Sequence, residues 1–362
     1  MSVESSPQSE PLPPRPAEAH ALEIARGLSG ERIICTTVGR AQAAVSLAAE
    51  RPSARVTAVT AWFLDLYRHD LAVAAWADPP AGLAAACAAD MPPGPYDLAV
   101  LPLSKDGEAE LSREMIQAAL QQLAIGGHLV VAIDNAKDKW LHEQLTETGE
   151  TVRVRPAAGP KPETIAYIVQ KTREPQKLRD FSCEFAFRDR ERLLEAVSRP
   201  GVFAHRRIDP GARHLLNAVD VAPETRVLDI GCGSGCVAIG IAARDPSVVV
   251  HAFDSSARAV ECTRLGAELN DLANVSVDLE AEGKVPDRGA WDLALANPPY
   301  YADFAIAEKF VEAARLALAP GGTLLVVTKQ PAWYVEHLPR MWTGVAQELV
   351  KGYHLVEAIR PS

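Results

Sequence analysis

Short apolar runs alternate with longer Ala- and Leu-rich stretches along most of the 362-residue chain. Two of these runs, at residues 128–133 and 323–327, each follow a Gly-Gly pair and have the length and composition of buried strands. The Ala- and Leu-rich stretches between the runs have the composition of helices. Apolar strands that alternate with helices are typical of mostly parallel sheets covered on both faces. The pattern therefore predicts an α/β protein.

The same pattern occurs twice in the chain. Residues 32–60 align without a gap with residues 226–254 at an offset of 194, and both segments run strand, turn, helix, Pro-Ser, strand. At an offset of 195, Tyr-Asp-Leu-Ala-Val at 96–100 matches Trp-Asp-Leu-Ala-Leu at 291–295. The segments that lead into the two Gly-Gly pairs match at this second offset as well. Such internal repetition predicts two tandem copies of one Rossmann-like unit.

Composition and charge narrow the class of protein without identifying it. Apolar residues make up 48% of the chain, and no apolar run reaches the roughly 18–20 residues of a membrane helix. The net charge of −10 argues against nonspecific coating of nucleic acid. Residues 171–213 nevertheless carry eleven Lys or Arg against seven Asp or Glu, which suits either a solvated linker or a contact with phosphates. Six scattered cysteines without a CxxC pair favour a reducing cytosol.

A glycine-rich turn follows the first strand of the second copy. The strand tip carries Asp229, and the turn contains Gly231, Cys232, Gly233 and Gly235. Glycines permit positive φ and let backbone N–H groups approach a ligand closely. An acid at the strand tip would repel a pyrophosphate, but it suits the ammonium group of S-adenosylmethionine. We therefore expect these residues to bind that cofactor.

A second acid ends the next predicted strand of this copy. Asp254 occupies the position from which a carboxylate accepts both hydroxyls of a ribose, with Ser255 beside it. The alternative is that Asp254 caps the following helix together with Ser255 and Ser256. One of Asp278, Glu280 and Glu282 is a candidate contact for the adenine amino group, with a solvated loop as the alternative. Cys232 and Cys236 lie four residues apart without His or other Cys nearby, so packing is favoured over metal binding.

The reactive site is predicted after the strand at 291–296, where the chain reads Asn297, Pro298, Pro299, Tyr300. Ligands bind at the carboxyl ends of strands in open α/β sheets. The Asn297 side chain and the Pro298 carbonyl offer two acceptors for the two N–H bonds of an exocyclic amino group, so that the nitrogen lone pair points at the methyl donor. The prolines stiffen this geometry, and Tyr300 offers a ring for base stacking. A simple strand terminator is the alternative.

Residues 200–211, before the second copy, mix turn glycines with Phe203 and the pair Arg206 and Arg207. We expect this segment to fold over the cofactor as a lid, with Phe203 against the ligand and the arginines on RNA phosphates. An ordinary interdomain loop is the alternative.

The first copy lacks the polar groups of the second. Cys35 stands opposite Asp229, Thr37 opposite Gly231, Ala41 opposite Gly235 and Thr60 opposite Asp254. Residues 102–105, Pro-Leu-Ser-Lys, stand opposite the Asn-Pro-Pro-Tyr tetrapeptide. The first copy is therefore expected to be a scaffold or an RNA-positioning domain.

Together, the tandem halves, the segment at 201–211, the Asp-Ile-Gly-Cys-Gly-Ser-Gly turn and the Asn-Pro-Pro-Tyr tetrapeptide resemble the bacterial ribosomal RNA small-subunit (guanine-N2)-methyltransferases. The resemblance covers nearly the whole chain. It implies that Asp229, Gly231 and Asp254 hold the cofactor, that Asn297 to Tyr300 hold the guanine amino group, and that the N-terminal half assists stability or RNA placement. The chain departs from the family at Tyr300, where Phe is common, and at residues 329–334.

The expected organisation is a disordered tail at 1–20, a degenerate methyltransferase-like domain at 21–171, a linker and lid at 172–215, and a catalytic domain at 216–362. The expected activity is methyl transfer from S-adenosylmethionine to guanine N2 in ribosomal RNA. The alternatives are methylation of adenine N6 or of protein glutamine, or a non-catalytic cofactor- or RNA-binding protein. The expected partner is ribosomal RNA or a ribosomal subunit in the cytoplasm, without a membrane or metal; the oligomeric state is left open.

Overall fold

The computed structural model describes residues 14–38, 41–59, 80–299 and 304–362. Over these residues the chain divides into two compact units, the first ending at Arg179 and the second beginning at Asp180. Of the described helices, none is both long and apolar enough to cross a membrane.

The first unit contains one sheet of seven described strands in the order β3-β2-β1-β4-β5-β7-β6. The strands from β3 to β5 run parallel, and β7 is antiparallel to both β5 and β6. In chain order the elements are α1 (Pro16–Arg26), β1 (Arg32–Cys35), α2 (Gln42–Glu50), β2 (Arg55–Val59), β3 (Leu83–Ala86), β4 (Tyr96–Leu103), α3 (Ala109–Gln122), β5 (Leu123–Ile133), α4 (Trp140–Thr146), β6 (Val152–Pro156) and β7 (Ile165–Gln170).

The second unit repeats this topology after a two-stranded hairpin. Its main sheet has the order β12-β11-β10-β13-β14-β16-β15, with β16 antiparallel to its neighbours. In chain order the elements are β8 (Cys183–Asp189), β9 (Arg192–Ser198), α5 (Pro210–Ala218), β10 (Arg226–Ile230), α6 (Cys236–Ala242), β11 (Val249–Asp254), α7 (Ala257–Leu269), β12 (Val275–Leu279), β13 (Trp291–Ala296), α8 (Ala305–Ala317), β14 (Leu318–Thr328), α9 (Pro331–His337), β15 (Thr343–Val350) and β16 (Tyr353–Ile359). Two tandem Rossmann-like sheets are therefore confirmed.

The long apolar runs of the sequence are strands buried on both faces. Along β14, Leu325 and Val327 pack into one apolar cluster with α5 and α6, whereas Leu324 and Val326 pack into another with α8 and α9. Successive side chains of a strand point to opposite faces. A strand with a core on each side therefore carries no polar face, which explains the unbroken runs.

The strand register brings the predicted site residues to one edge of the second sheet. The central strand β10 pairs in parallel with β11 on one side and β13 on the other, with Ile230 opposite both Phe253 and Ala296. The glycine turn follows β10, Asp254 ends β11 and Asn297 follows β13. Parallel strands place such residues side by side at their carboxyl ends.

Two segments differ from the sequence-based expectation. The predicted tail extended to residue 20, but α1 begins at Pro16, because proline is well accommodated in the first turn of a helix. The predicted linker at 172–215 contains the β8–β9 hairpin and the start of α5. Its charged turn resembles a solvated loop in sequence, yet Phe187 and Leu194 are buried in the core of the second unit.

Candidate active site

The turn after β10 bends through three glycines with positive φ, at 74° for Gly231, 57° for Gly233 and 77° for Gly235. A Cβ at Gly231 would lie 2.6 Å from the ring of Phe310, and one at Gly235 would lie 2.8 Å from the Thr263 hydroxyl. A Cβ at Gly233 would meet no atom within 4 Å. Packing therefore requires the outer two glycines, whereas Gly233 exposes its backbone to open space where a ligand can approach.

The carboxyl group of Asp229 lies beneath this turn. Asp229 is buried, and its Oδ2 accepts the Ala238 backbone N–H of α6 at 3.0 Å. Burial raises the pKa of Asp229 to about 7. The nearby negative charge of Asp254 also raises this pKa, whereas the hydrogen bond from the Ala238 N–H lowers it. A cation bound beside this carboxyl would favour its ionised form.

Asp254 closes the turn from the neighbouring strand. Its Oδ2 accepts the Gly233 N–H at 2.9 Å, and its Oδ1 accepts the Ser256 N–H at 2.8 Å. Burial raises the pKa of Asp254, against these bonds and one from the Ser255 backbone. The cap of α7 is the Ser256 hydroxyl, which accepts the Ala259 N–H. The N-cap of α7 is therefore Ser256 and not Asp254. The Asp254 carboxylate faces the glycine turn instead.

Cys232 contributes to the turn through its own internal bonds. Its N–H donates to the Phe253 carbonyl at 3.1 Å, its carbonyl accepts the Gly235 N–H at 2.9 Å, and its sulfur accepts from the Thr263 hydroxyl at 3.2 Å. The thiol is buried, which raises its pKa well above the ordinary value. Cys232 therefore stabilises the shape of the turn.

Among the three acids considered for the adenine group, Glu280 is tied to the site. Its N–H donates to the Asp254 carbonyl at 3.0 Å, immediately after β12. Asp278 instead approaches His251, with its Oδ2 at 3.8 Å from Nε2. Glu280 is therefore joined to Asp254 through the backbone.

Asn297 follows β13 and is held from another element. Its Nδ2 donates to Oδ2 of Asp209 at 2.8 Å, and Asp209 caps the N-terminus of α5. A Cβ at Gly211 would lie 2.8 Å from the Asn297 side-chain oxygen, so only glycine allows α5 to pass this close. Pro298 is buried and Pro299 half-buried, whereas Tyr300 lies outside the described residues. Asp209 and Gly211 belong to the segment at 201–211, but the sequence alone did not predict a role for either residue.

The segment predicted as a lid is anchored beside Asp254. The buried guanidinium of Arg258, in the first turn of α7, donates to the Pro200 carbonyl at 2.8 Å. Val202 packs with Val197, Ala259 and Cys262 in a small apolar cluster. The base of the segment is therefore fixed on α7.

The tip of the same segment is exposed. Phe203 is 64% exposed. Arg206 and Arg207 are also exposed, and Arg206 adopts a φ of 71° while its N–H donates to the Ser198 hydroxyl at 2.9 Å. A non-glycine residue in this region carries backbone strain.

The first unit has a buried carboxyl beside the segment that corresponds to the glycine turn of the second. Glu18 of α1 is fully buried, and its Oε1 accepts the Ala43 N–H at the start of α2 at 3.1 Å. The Thr37 hydroxyl, opposite Gly231 in the repeat, lies 3.4 Å from Glu18 Oε2. Burial raises the pKa of Glu18. The Glu18 side chain therefore bonds to the Ala43 N–H and the Thr37 hydroxyl, groups that a ligand would otherwise reach.

Within the described ranges, no group of three or more His, Cys, Asp or Glu residues is arranged to hold a metal ion.

A sheet of this order, with a glycine turn after the central strand β10 and an acid at the end of β11, is the arrangement of Rossmann-like methyltransferase domains. Residues 194–356 match the family model described as Methyltransferase small domain.

Curated relatives carry one recurring name. The ribosomal RNA small subunit methyltransferase C of Pseudomonas entomophila (strain L48) is 35% identical over 138 residues, which cover 37% of this chain and 41% of that protein. The protein of the same name from Pseudomonas putida (strain W619) is 28% identical over 242 residues, covering 66% and 71%. The chain spans about two fifths of the length of the curated relatives that it matches first.

One solved structure matches nearly the whole chain. The T. thermophilus 16S rRNA N2 G1207 methyltransferase (RsmC), in complex with AdoMet and guanosine, superposes with a TM-score of 0.77. The match covers 96% of this chain and 92% of that chain at 22% identity. At this identity the likeness establishes the fold, with two methyltransferase-like sheets in tandem.

Proposed function

We propose that this protein transfers a methyl group from S-adenosylmethionine to the exocyclic N2 amino group of a guanine in ribosomal RNA. The observation that carries the proposal is the position of Asn297. Its side-chain amide follows β13, the neighbour of β10, and is oriented by Asp209 at the sheet edge that carries the glycine turn and Asp254. The names of the curated relatives and of the matching solved structure support the choice of substrate.

The cofactor is assigned to the turn that joins β10 to α6. Gly233 offers unobstructed backbone, Asp229 offers a carboxyl that a cation would ionise, and Asp254 has lone pairs beyond those used by Gly233 and Ser256. These groups fit the methionyl ammonium and the ribose hydroxyls. Phe203, exposed on an anchored segment, is assigned to cover the ligand. When bound, S-adenosylmethionine supplies an electrophilic methyl group on a sulfonium.

Asn297 and Pro298 prepare the amino group for attack. The nitrogen lone pair of a guanine amino group is delocalised into the ring, so the free group is a poor nucleophile. The Asn297 Oδ1 and the Pro298 carbonyl accept its two N–H bonds, which favours a pyramidal nitrogen with a directed lone pair. In this arrangement the amino nitrogen would be held toward the methyl group that bound S-adenosylmethionine would supply, and one N–H proton would pass to solvent. Tyr300 is assigned to stack on the base.

The RNA contact is assigned to Arg206 and Arg207, which are exposed beside the site. With a net charge of −10, the protein as a whole is unsuited to nonspecific binding, so local cations must position the phosphates. The partner is ribosomal RNA or a ribosomal subunit, and such a substrate places the protein in the cytoplasm. The first unit, in which Glu18 of α1 bonds to the start of α2, is assigned to stability or RNA placement.

The test is methyl transfer from radiolabelled S-adenosylmethionine by the full chain. Substrates are small-subunit ribosomal RNA, the small ribosomal subunit, an adenine-rich RNA and a glutamine-containing peptide, and products are digested to nucleosides or amino acids. N2-methylguanosine from the ribosomal substrates is the expected product, and Asn297→Ala is the control with strongly reduced turnover. N6-methyladenosine or methylglutamine as the main product would replace the proposal, and binding without transfer would favour the non-catalytic alternative.

A further inference from the structure

Asp209 touches two elements of the second unit with one carboxylate oxygen. Its Oδ2 accepts the Ala212 N–H at 3.1 Å, which caps α5, and accepts Nδ2 of Asn297 at 2.8 Å. Asp209 and Asn297 are 88 positions apart in sequence. The absence of a Cβ at Gly211 lets the two side chains meet.

The chemistry of this contact fixes the direction of the Asn297 amide. A carboxylate only accepts hydrogen bonds, so it selects the NH2 end of the amide and leaves the carbonyl end on the other side. Without such a partner, the amide can rotate by half a turn. The rotated amide would present N–H donors to an amino group that itself has only hydrogens to offer, and the contact on which methyl transfer depends would be lost.

The repeat supplies an internal comparison. At the offset of 194, Arg15 stands opposite Asp209, and at the offset of 195, Pro102 stands opposite Asn297. The helix itself is retained in the first unit, because α1 begins at Pro16 as α5 begins at Pro210. Arg15 makes no side-chain cap bond, so the helix start does not require an acid. The acid and the amide are thus present together in one unit and absent together from the other.

We propose that Asp209 is a positioning residue for methyl transfer, which acts by holding the Asn297 side-chain oxygen toward the substrate amino group. This inference rests on the proposed function, in which Asn297 accepts an N–H bond of guanine. It assigns to Asp209 a role in turnover that its place as a helix cap does not require.

The decisive variant is Asp209→Ser, because serine still caps a helix but its short hydroxyl cannot reach Asn297. We expect kcat with ribosomal RNA to fall about 10- to 100-fold, the worth of one hydrogen bond to a charged group. The dissociation constant of S-adenosylmethionine and the melting temperature should change little. Asp209→Asn, which keeps the length and one acceptor oxygen, should recover part of the lost rate.

The matched control is Asp138→Ser in the first unit. Asp138 accepts the Leu141 N–H in the first turn of α4 at 2.7 Å, so the substitution removes a carboxylate that bonds the start of another helix in the first unit. Its kcat should stay within about twofold of the unsubstituted protein, well below the effect of a lost charged hydrogen bond.

The double variant Asp209→Ser Asn297→Ala tests whether Asp209 acts through Asn297. Single-turnover methylation should be equal, within about twofold, in the double variant and in Asn297→Ala, because the partner is already gone. Unchanged kcat in Asp209→Ser, or a full further loss in the double variant, would overturn the assignment. A failure of the proposed function is seen separately, as absence of N2-methylguanosine from the unsubstituted protein.

Discussion

The affinity for S-adenosylmethionine should rise with pH between 6 and 7, because Asp229 must be ionised to pair with the methionyl ammonium. With a pKa of about 7 in the free protein, the ionised fraction of Asp229 rises from about one tenth at pH 6 to about one half at pH 7. If the protonated form does not pair with the ligand, the association constant increases about fivefold over this range. The window stays below the pKa of an α-amino group, about 7.7–8.0, so the ammonium form of the ligand predominates throughout.

Isothermal titration calorimetry measures both parts of this expectation. The dissociation constant should fall about fivefold from pH 6 to pH 7, and binding at pH 6 should release close to one proton, which buffers of different ionisation enthalpy reveal. Asp229→Asn keeps an acceptor for the Ala238 N–H but removes the charge, so its affinity should be weaker at pH 7 and nearly flat across the window. A pH-independent affinity in the unsubstituted protein, or an unchanged profile in Asp229→Asn, would refute the role of Asp229.

The same carboxyl should destabilise the cofactor-free protein at higher pH. Because burial raises its pKa to about 7, the folded state favours the protonated form. The resulting stability is complete below the unfolded pKa near 3.9 and is lost as pH rises through 7. Differential scanning calorimetry without cofactor should therefore find Asp229→Asn more stable than the unsubstituted protein at pH 8, with the difference shrinking toward pH 5. A difference that grows toward low pH would contradict this sign.

Three further predictions concern catalysis, stoichiometry and RNA. Asn297→Ala should lower turnover on ribosomal RNA about 10²–10³-fold, the scale of losing one preorganised polar contact, while calorimetry finds the cofactor affinity within a few-fold; near-normal turnover would refute the mechanism. The full chain should bind one S-adenosylmethionine, and Asp254→Ala should abolish most of that binding; two sites per chain would mean that Glu18 does not block the first unit. Replacement of Arg206 and Arg207 with alanine should weaken RNA binding about equally across sequences and reduce its salt dependence; unchanged RNA affinity would return the segment to an ordinary loop.

Features that depend on local sequence could be predicted from the residues alone. The two sheets follow from apolar runs at a repeated spacing, and the edge that carries the site follows from the rule that ligands meet the carboxyl ends of parallel strands. Asp254 and Asn297 directly follow or end such strands, so their places near the glycine turn were predictable. The hairpin at β8 and β9 was not predicted, because its charged turn resembles a solvated loop. Its apolar residues pack against parts of the second unit that are distant in sequence.

Contacts between distant parts of the chain were decided by tertiary structure alone. The bond between Asp209 and Asn297 joins a helix cap to a strand end across 88 positions, and neither residue's neighbours indicate the other. The burial of Glu18 against Ala43 likewise depends on how α1 packs on α2. The pKa of Asp229 depends on its burial away from water and on the charge of Asp254, neither of which can be deduced from the residue type. Side-chain direction and desolvation are determined only when separate elements pack together, whereas strands and glycine turns are determined by neighbouring residues in the sequence.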